Sequence, residues 1–290
     1  MKTTSDVLIE SFPYIRKFKN KLVVVKVGGS VLHGSTLKSQ LAEDICFLSE
    51  VGIPVVVVHG GGKEVTSALE SSNRPTKFID GYRYTSEEDI ELIEMIFSGK
   101  ICKELVSTIV QAGGLAVGLS GKDAGMIRID KLLSKTGEDL GRVGRIVEVK
   151  KHILDLLIQS RFIPVVSSIG MFYDGKSGNV NADEVASNIA SEMGAQKLIY
   201  LSDVDGLIID NKHVDEADLK EAESFLTRSE VKDGMIPKLE FTVAALKKGV
   251  KEVHYINGSV PHSILIELFT DNGIGTKFSY SRRKNESDEG

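Results

Sequence analysis

The sequence predicts an α/β fold: a three-layer sandwich with a mostly parallel central sheet flanked by helices, organised as two lobes. Three observations predict it. Apolar runs such as Val23 to Val25 and Val55 to Val58 read as strands covered on both faces. Helical patterns separate these runs, and such alternation implies parallel pairing through crossovers. Glycines recur at the C-terminal ends of the strands, the edge at which sheets of this kind bind ligands.

Taken in order, Ser5 to Phe18 forms an amphipathic helix interrupted at Pro13, placed ahead of the sheet. Its apolar side (Val7, Leu8, Phe12, Ile15) packs either on the body or on another subunit. Leu22 to Leu32, LVVVKVGGSVL, is a strand running into Lys26 and a turn at Gly28 and Gly29, where amide groups can face an anion. Taken alone, K-x-G-G-S reads as a glycine turn beside a solvated lysine; repetition along the chain changes that reading. Leu37 to Glu50 is a helix. Ile53 to Gly62 is a second strand, and its three glycines, Gly60 to Gly62, open a helix whose N-terminus favours an anion.

Asp80 to Ser86 reads as a loop, followed by a helical stretch with a break near Ser98 and Gly99. Leu115 to Gly125 is another strand ending in small residues, and Ile127 to Val149 an antiparallel excursion. Ile163 to Gly170 is a central strand; the helix after it carries a capping box, Asn181 with Glu184. The pattern then restarts with LIYLSDVDGL, a strand ending at Asp203, Asp205 and Gly206. DLKEAESFL is a helix, and DGMIPKLEFTVAALKKG a turn and a helix with Pro237 near its start. VKEVHYING is a strand and VPHSILIELFTDNG a final helix. The last ten residues are polar and read as disordered.

Composition narrows the function. A chain of 290 residues can bury a sizeable core. A net charge of -5 argues against nucleic acid as the main partner. Cys46 and Cys102 stand apart without metal-ligand spacing and read as core thiols of a reducing compartment. No run resembles a signal peptide or reaches the ~20 apolar residues of a membrane span, so a cytoplasmic protein is expected.

Several glycine turns and lysines at one sheet edge suit a phosphorylated ligand. The P-loop places its lysine after the glycines, whereas Lys26 precedes them, and the first turn lacks G-x-G-x-x-G. Hydride transfer on a dinucleotide is therefore disfavoured. Lys238 follows Pro237 in a first helical turn, where the helix dipole opposes a cation by about 0.3–1 kcal/mol. Either a bound phosphate reverses that sign or the side chain swings into water. Asp183 also sits in a first turn, where acidic residues are common for dipole reasons alone.

KVGGSVL, VVVVHGGG, GLSGKD, VVSSIG, NVNADEVASNIA, LSDVDGL, DGMIPKLE and ELFTDNGIGT follow one another in this order between Lys21 and Phe278. Each is weak alone. Their succession resembles the amino acid kinase family and, within it, the acetylglutamate kinases.

The resemblance implies transfer of the γ-phosphoryl group of ATP, with Mg²⁺, to the side-chain carboxylate of N-acetyl-L-glutamate in arginine biosynthesis. It implies Lys26 and Lys238 as the groups that stabilise the transferring phosphoryl, with Asp183 holding both. Gly61, Gly62, Arg83 and Asn179 match acceptor-binding positions, and Arg83 suits a bidentate hold on a carboxylate. Gly28 and Gly29 lie beside the phosphates; Ser202, Asp203, Gly206, Leu207 and Lys232 match the nucleotide side. The metal is expected on nucleotide phosphates and water, with no protein ligand set. The expected layout is an oligomerising extension (1–20), an acceptor-binding and dimerising lobe (21–194), a nucleotide-binding lobe (195–280) and a polar tail (281–290).

Phe12, Pro13 and Tyr14 resemble the N-terminal helix of arginine-inhibited members, in which such helices join dimers into a hexameric ring. By the same likeness Tyr14, His254, Glu267 and Gly273 form an L-arginine site, with Glu267 facing the guanidinium. Two positions depart from the family pattern: Lys63 stands where proline is common, and Tyr84 where a small aliphatic is usual. Competing readings are a kinase of N-acetyl-aminoadipate or of a carrier-linked acceptor, and a non-catalytic arginine sensor on the same fold. A pocket discriminates one methylene by only ~1–3 kcal/mol, so the first of these stays open.

Overall fold

The structure is a computed structural model that describes residues 4–228, 231, 235–270 and 273–281. The chain begins with α1 (Thr4–Phe18), β1 (Val23–Val27), α2 (Ser35–Glu50), β2 (Val55–His59) and α3 (Gly62–Ser71). A small hairpin, β3 (Phe78–Ile79) and β4 (Tyr82–Arg83), leads into α4 (Glu87–Glu94) and α5 (Cys102–Gln111). Next come β5 (Ala116–Ser120), the pair β6 (Ile127–Leu133) and β7 (Asp139–Val149), and α6 (His152–Gln159). β8 (Ile163–Ser167), β9 (Ile169–Met171), β10 (Ser177–Asn179) and α7 (Ala182–Glu192) complete the first part. β11 (Lys197–Ser202), β12 (Leu207–Ile209), β13 (Lys212–Val214), β14 (Glu216–Asp218) and α8 (Leu219–Phe225) follow. The described chain closes with α9 (Ile236–Lys247), β15 (Glu252–Asn257), α10 (Ser263–Phe269) and β16 (Thr276–Ser279).

One eight-stranded sheet, in the order β14-β16-β15-β11-β1-β2-β8-β5, runs through the molecule. The six strands from β15 to β5 are parallel, and β16 runs antiparallel to β15. Strand alternation sends Val23, Val25 and Val27 into one core, with residues of α2, α5 and α10. Val24 enters the other core, with residues of α7 and α9. This is the expected three-layer α/β arrangement, and β1 lies at its centre. The excursion after β5 closes with β9 and β10 into a small barrel, β10-β7-β6-β9.

Several elements differ locally from expectation. α1 continues through Pro13; a proline removes one backbone bond, and the burial of Phe18 and packing of Tyr14 hold the rest. The helix does not break near Ser98 and Gly99 but widens into a π-helical stretch, Met95–Ile101, and Ser98 Oγ meets Ser167 Oγ at 2.9 Å. The loop at 80–86 contains half of the β3–β4 hairpin. Asn181 does cap α7, accepting from Asp183 N at 2.8 Å, but Glu184 does not close the box. Its Oε1 instead accepts from Ile146 N of β7 at 2.7 Å. β14 and β16 were not legible, because strands of three and four residues carry too little period-2 pattern. Among the described residues no helix is long and apolar enough to cross a membrane.

Candidate active site

β1 is flanked by β11 on one side and β2 on the other, so the chain leaves their C-terminal ends in different directions and opens a crevice there. In register, Lys26 lies opposite Tyr200 of β11 and Val58 of β2. Two residues beyond Val24, its side chain points toward the α7 and α9 layer. There it forms an ion pair with Asp183, Nζ to Oδ1 at 2.9 Å. Lys238 of α9 donates to the other oxygen, Oδ2, at 2.8 Å. Two lysines more than 200 positions apart are thus bridged by one carboxylate.

Asp183 sits at the N-terminal turn of α7, where the dipole favours negative charge. Burial would raise its pKa, but Lys238 and Lys26 outweigh this and hold the carboxyl well below the ordinary range. Burial pulls Lys238 down from the usual lysine value, and Asp183 pulls it back up. Asp183 is therefore an anion at neutral pH.

Beside the bridge lies a cavity of about 440 Å³ lined by Lys26, Gly28, Gly29, Gly61, Gly62, Arg83 and Asn179 among others. It gathers residues from β1 through β10 into one place. Gly61 caps α3 with φ 155°, a region that excludes side chains, and a Cβ there would overlap Ile101 Cδ1 of the π-helical stretch. A Cβ on Gly28 would stand 2.8 Å from Lys26 Nζ, so only glycine leaves the ammonium its place. Arg83 is 8% exposed and stacks at 4.7 Å on Phe78. Its Nη2 donates to Gly62 O and Thr66 Oγ1, while Nη1 is buried without a hydrogen-bond partner among the described residues. Asn179 Nδ2 donates to Thr85 Oγ1 at 3.2 Å.

On the other side of β1, Ser202 ends β11, and Asp203 Oδ2 lies 3.8 Å from Lys63 Nζ. Lys63, one of the two departures from the family pattern, therefore faces the loop expected to hold nucleotide. Gly206 and Leu207 pack against Thr276, whose Oγ1 accepts from Leu207 N at 2.7 Å, and do not line the 440 Å³ cavity. Lys232 lies outside the described residues.

A second cavity, about 490 Å³, opens at the opposite, N-terminal edge of β11 and β15. Tyr14, His254, Glu267 and Gly273 all line it, joined by Lys197 and Glu252. Glu267 Oε1 meets His254 Nδ1 at 2.5 Å, Lys197 Nζ meets His254 Nε2 at 2.9 Å, and Lys197 meets Glu252 Oε2 at 2.6 Å. Burial opposes the charge on Glu267, and the bond from His254 still brings its pKa below the ordinary value.

Reading the sequence missed His59, Thr66, Phe78, Tyr200, Lys197 and Glu252. His59 had a signal, its place directly before the triple glycine: its Nδ1 bonds Gly60 O at 2.9 Å and burial lowers its pKa to about 4, so it is neutral. Tyr200 had none, since its neighbours come from four separate elements.

The model of the family described as "Amino acid kinase family" matches residues 21–257. The acetylglutamate kinase of Carboxydothermus hydrogenoformans is 45% identical over 283 residues, covering 94% of this chain and 96% of that protein. Among solved structures, N-acetylglutamate synthase from Neisseria gonorrhoeae complexed with coenzyme A and N-acetyl-glutamate superposes with TM-score 0.87 at 26% identity. That match covers 97% of this chain, which spans 65% of the synthase's length. The same synthase complexed with coenzyme A and L-arginine gives TM-score 0.82 at 25% identity, over 99% of this chain and 69% of the synthase. Matched along most of its length by the family model and by a kinase that shares nearly half its residues, the chain belongs to the amino acid kinase family, in its acetylglutamate kinase branch.

Proposed function

We propose that the protein transfers the γ-phosphoryl group of ATP to the side-chain carboxylate of N-acetyl-L-glutamate, giving N-acetyl-L-glutamyl 5-phosphate and ADP, a cytoplasmic step of arginine biosynthesis. The observation that carries this reading is the Lys26–Asp183–Lys238 bridge beside a glycine-lined cavity. The identity to acetylglutamate kinases supports the choice of acceptor.

A carboxylate nucleophile of pKa ~4.3 is already ionised at neutral pH and needs no general base. The barrier is repulsion between two anions, and positioning with electrostatic stabilisation lowers it. In this reading Lys26 and Lys238 turn from Asp183 toward the transferring phosphoryl, while Asp183 keeps them close together. The α3 N-terminus and the Gly28–Gly29 turn offer amides to anionic oxygens. Arg83 holds the acceptor's α-carboxylate, which satisfies the otherwise unpaired Nη1, and Asn179 borders the same acceptor. Ser202, Asp203, Gly206, Leu207 and Lys232 serve the nucleotide, which brings Mg²⁺ on its own phosphates. Among the described residues no group of three metal-ligating side chains gathers, and Mg²⁺ characteristically keeps waters and phosphate ligands. The lobe at 21–194 thus carries the acceptor and that at 195–280 the nucleotide.

The second cavity supports feedback inhibition by L-arginine, with Glu267 facing the guanidinium and Tyr14 closing the site from α1. α1 also exposes Ile9 and Phe12, apolar side chains suited to joining dimers into a hexamer.

Hydroxylamine trapping of the acyl phosphate, with acetylglutamate, glutamate, acetyl-aminoadipate and aspartate side by side, tests the reaction and its acceptor. Hydroxamate is expected with acetylglutamate, and Lys26→Met is expected to lower kcat roughly 10²–10³-fold. Preference for acetyl-aminoadipate, or full turnover in Lys26→Met, overturns the reading.

A further inference from the structure

We propose that Tyr200, backed by Tyr255, is a positioning residue for phosphoryl transfer, its ring face seating the Lys238 ammonium and its hydroxyl tying down the turn that carries Asp183. This rests on the reading of Lys238 given above.

Lys238 Nζ stands 4.7 Å from the centroid of the Tyr200 ring and 6.0 Å from that of Tyr255. Both tyrosines are wholly buried, and their rings meet edge to face at 5.6 Å. The Tyr200 hydroxyl donates to the backbone carbonyl of Asp183 at 3.2 Å. Tyr255 shares a 2.6 Å bond with Thr242 Oγ1, one turn further along the helix of Lys238. Across the sheet, Tyr200 is the residue opposite Lys26. One side chain that does not line the cleft therefore neighbours all three members of the bridge.

The charge balance explains the arrangement. Among the described residues a single carboxylate serves two ammonium groups, which leaves the cluster with one more cation than anion in a poorly hydrated place. Among the described residues, the groups facing Lys238 are Asp183 from α7, Lys26 from β1, Tyr200 from β11 and Tyr255 from β15. Of these only Asp183 is an anion. The negative face of an aromatic ring supplies the missing attraction, most strongly when the cation is desolvated. It does so without a directional bond. The ammonium can then rotate from Asp183 toward the phosphoryl group while remaining seated, which a second carboxylate would resist.

Steady-state kinetics with ATP and acetylglutamate test this on wild type, Tyr200→Phe, Tyr200→Leu and Lys238→Met, with thermal melts alongside. Tyr200→Phe keeps the ring and is expected to retain kcat within about threefold; Tyr200→Leu is expected to lose about tenfold in kcat with both KM values little changed. The alkaline limb of kcat moves to lower pH in Tyr200→Leu, since burial then acts on Lys238 without the ring to oppose it. Fluorinated phenylalanines incorporated at position 200 change the ring face with little change in volume, so log kcat is expected to fall with each added fluorine. That series decides the matter if Tyr200→Leu does not fold. A flat fluorine series, or wild-type kcat in Tyr200→Leu, with Lys238→Met inactive, overturns the proposal. Full activity in Lys238→Met instead overturns the reading beneath it.

Discussion

At the scale of single residues, Asp183 carries the most consequence, because two ammonium groups converge on its carboxylate. Asp183→Asn keeps the shape and removes the charge, leaving both lysines to repel each other. A fall in kcat of roughly 100-fold is expected, with a loss of stability of up to about 3–5 kcal/mol, the usual cost of breaking a buried pair. The pH dependence has a definite sign. The folded pKa of Asp183 is depressed, so its contribution is complete above its unfolded value near ~3.9 and drains away as pH falls toward the folded one. Thermal melts of wild type and variant are therefore expected to differ most at neutral pH and to converge in acid. The two lysines and the aspartate drew notice in the sequence by their places at a strand end or in a first helical turn, but their roles, and Arg83 altogether, came from the family resemblance. Tyr200 drew no notice, since nothing in LIYLSDV distinguishes a ring beneath an ammonium from an ordinary core tyrosine.

At the scale of elements, the local sequence specified starts and stops well and partners poorly. Asn181 caps α7 as expected, yet Glu184, three residues on, leaves its own helix end to accept from Ile146 N of β7. A carboxylate in that buried position is pushed up to about 7 by desolvation, chiefly, against the opposing bond from Ile146. A raised carboxyl pKa means that the folded state holds a proton the unfolded chain has released, so stability declines as pH rises from about 4.5 to 7. Glu184→Gln keeps the accepting oxygen and removes the titration. Its melting temperature is expected to exceed that of wild type by more at pH 8 than at pH 5, and equal differences at both would show the carboxyl to be ordinary. The π-helical stretch follows the same lesson. Glycine and serine marked the place where the helix changes, but the wider turn that sets Phe97 and Ile101 against Gly61 depends on the facing loop.

At the scale of the whole molecule, the two cavities sit at opposite ends of the strands of one sheet, lined by different strands; β11 lines only the second, through Lys197, while its Tyr200 lies beneath the bridge beside the first. If the proposed hexamer and arginine inhibition hold, Phe12→Ser on α1 is expected to split the assembly into dimers by light scattering and to weaken the inhibition because Tyr14 loses its station; an unchanged mass and inhibition would separate α1 from both. The sequence by itself determined the α/β class, the order of the longer elements, the glycine turns and the family, because valine runs and tight turns are local properties; the partner of Glu184 and the short strands β14 and β16 were not among them. Only the tertiary structure decided the distances at which Lys26 and Lys238 meet on Asp183, that a ring lies under one of them, and that Tyr14, His254, Glu267 and Gly273 line one cavity. Charge pairing and desolvation act through space, and the sheet order that sets those distances is a property of the folded chain alone.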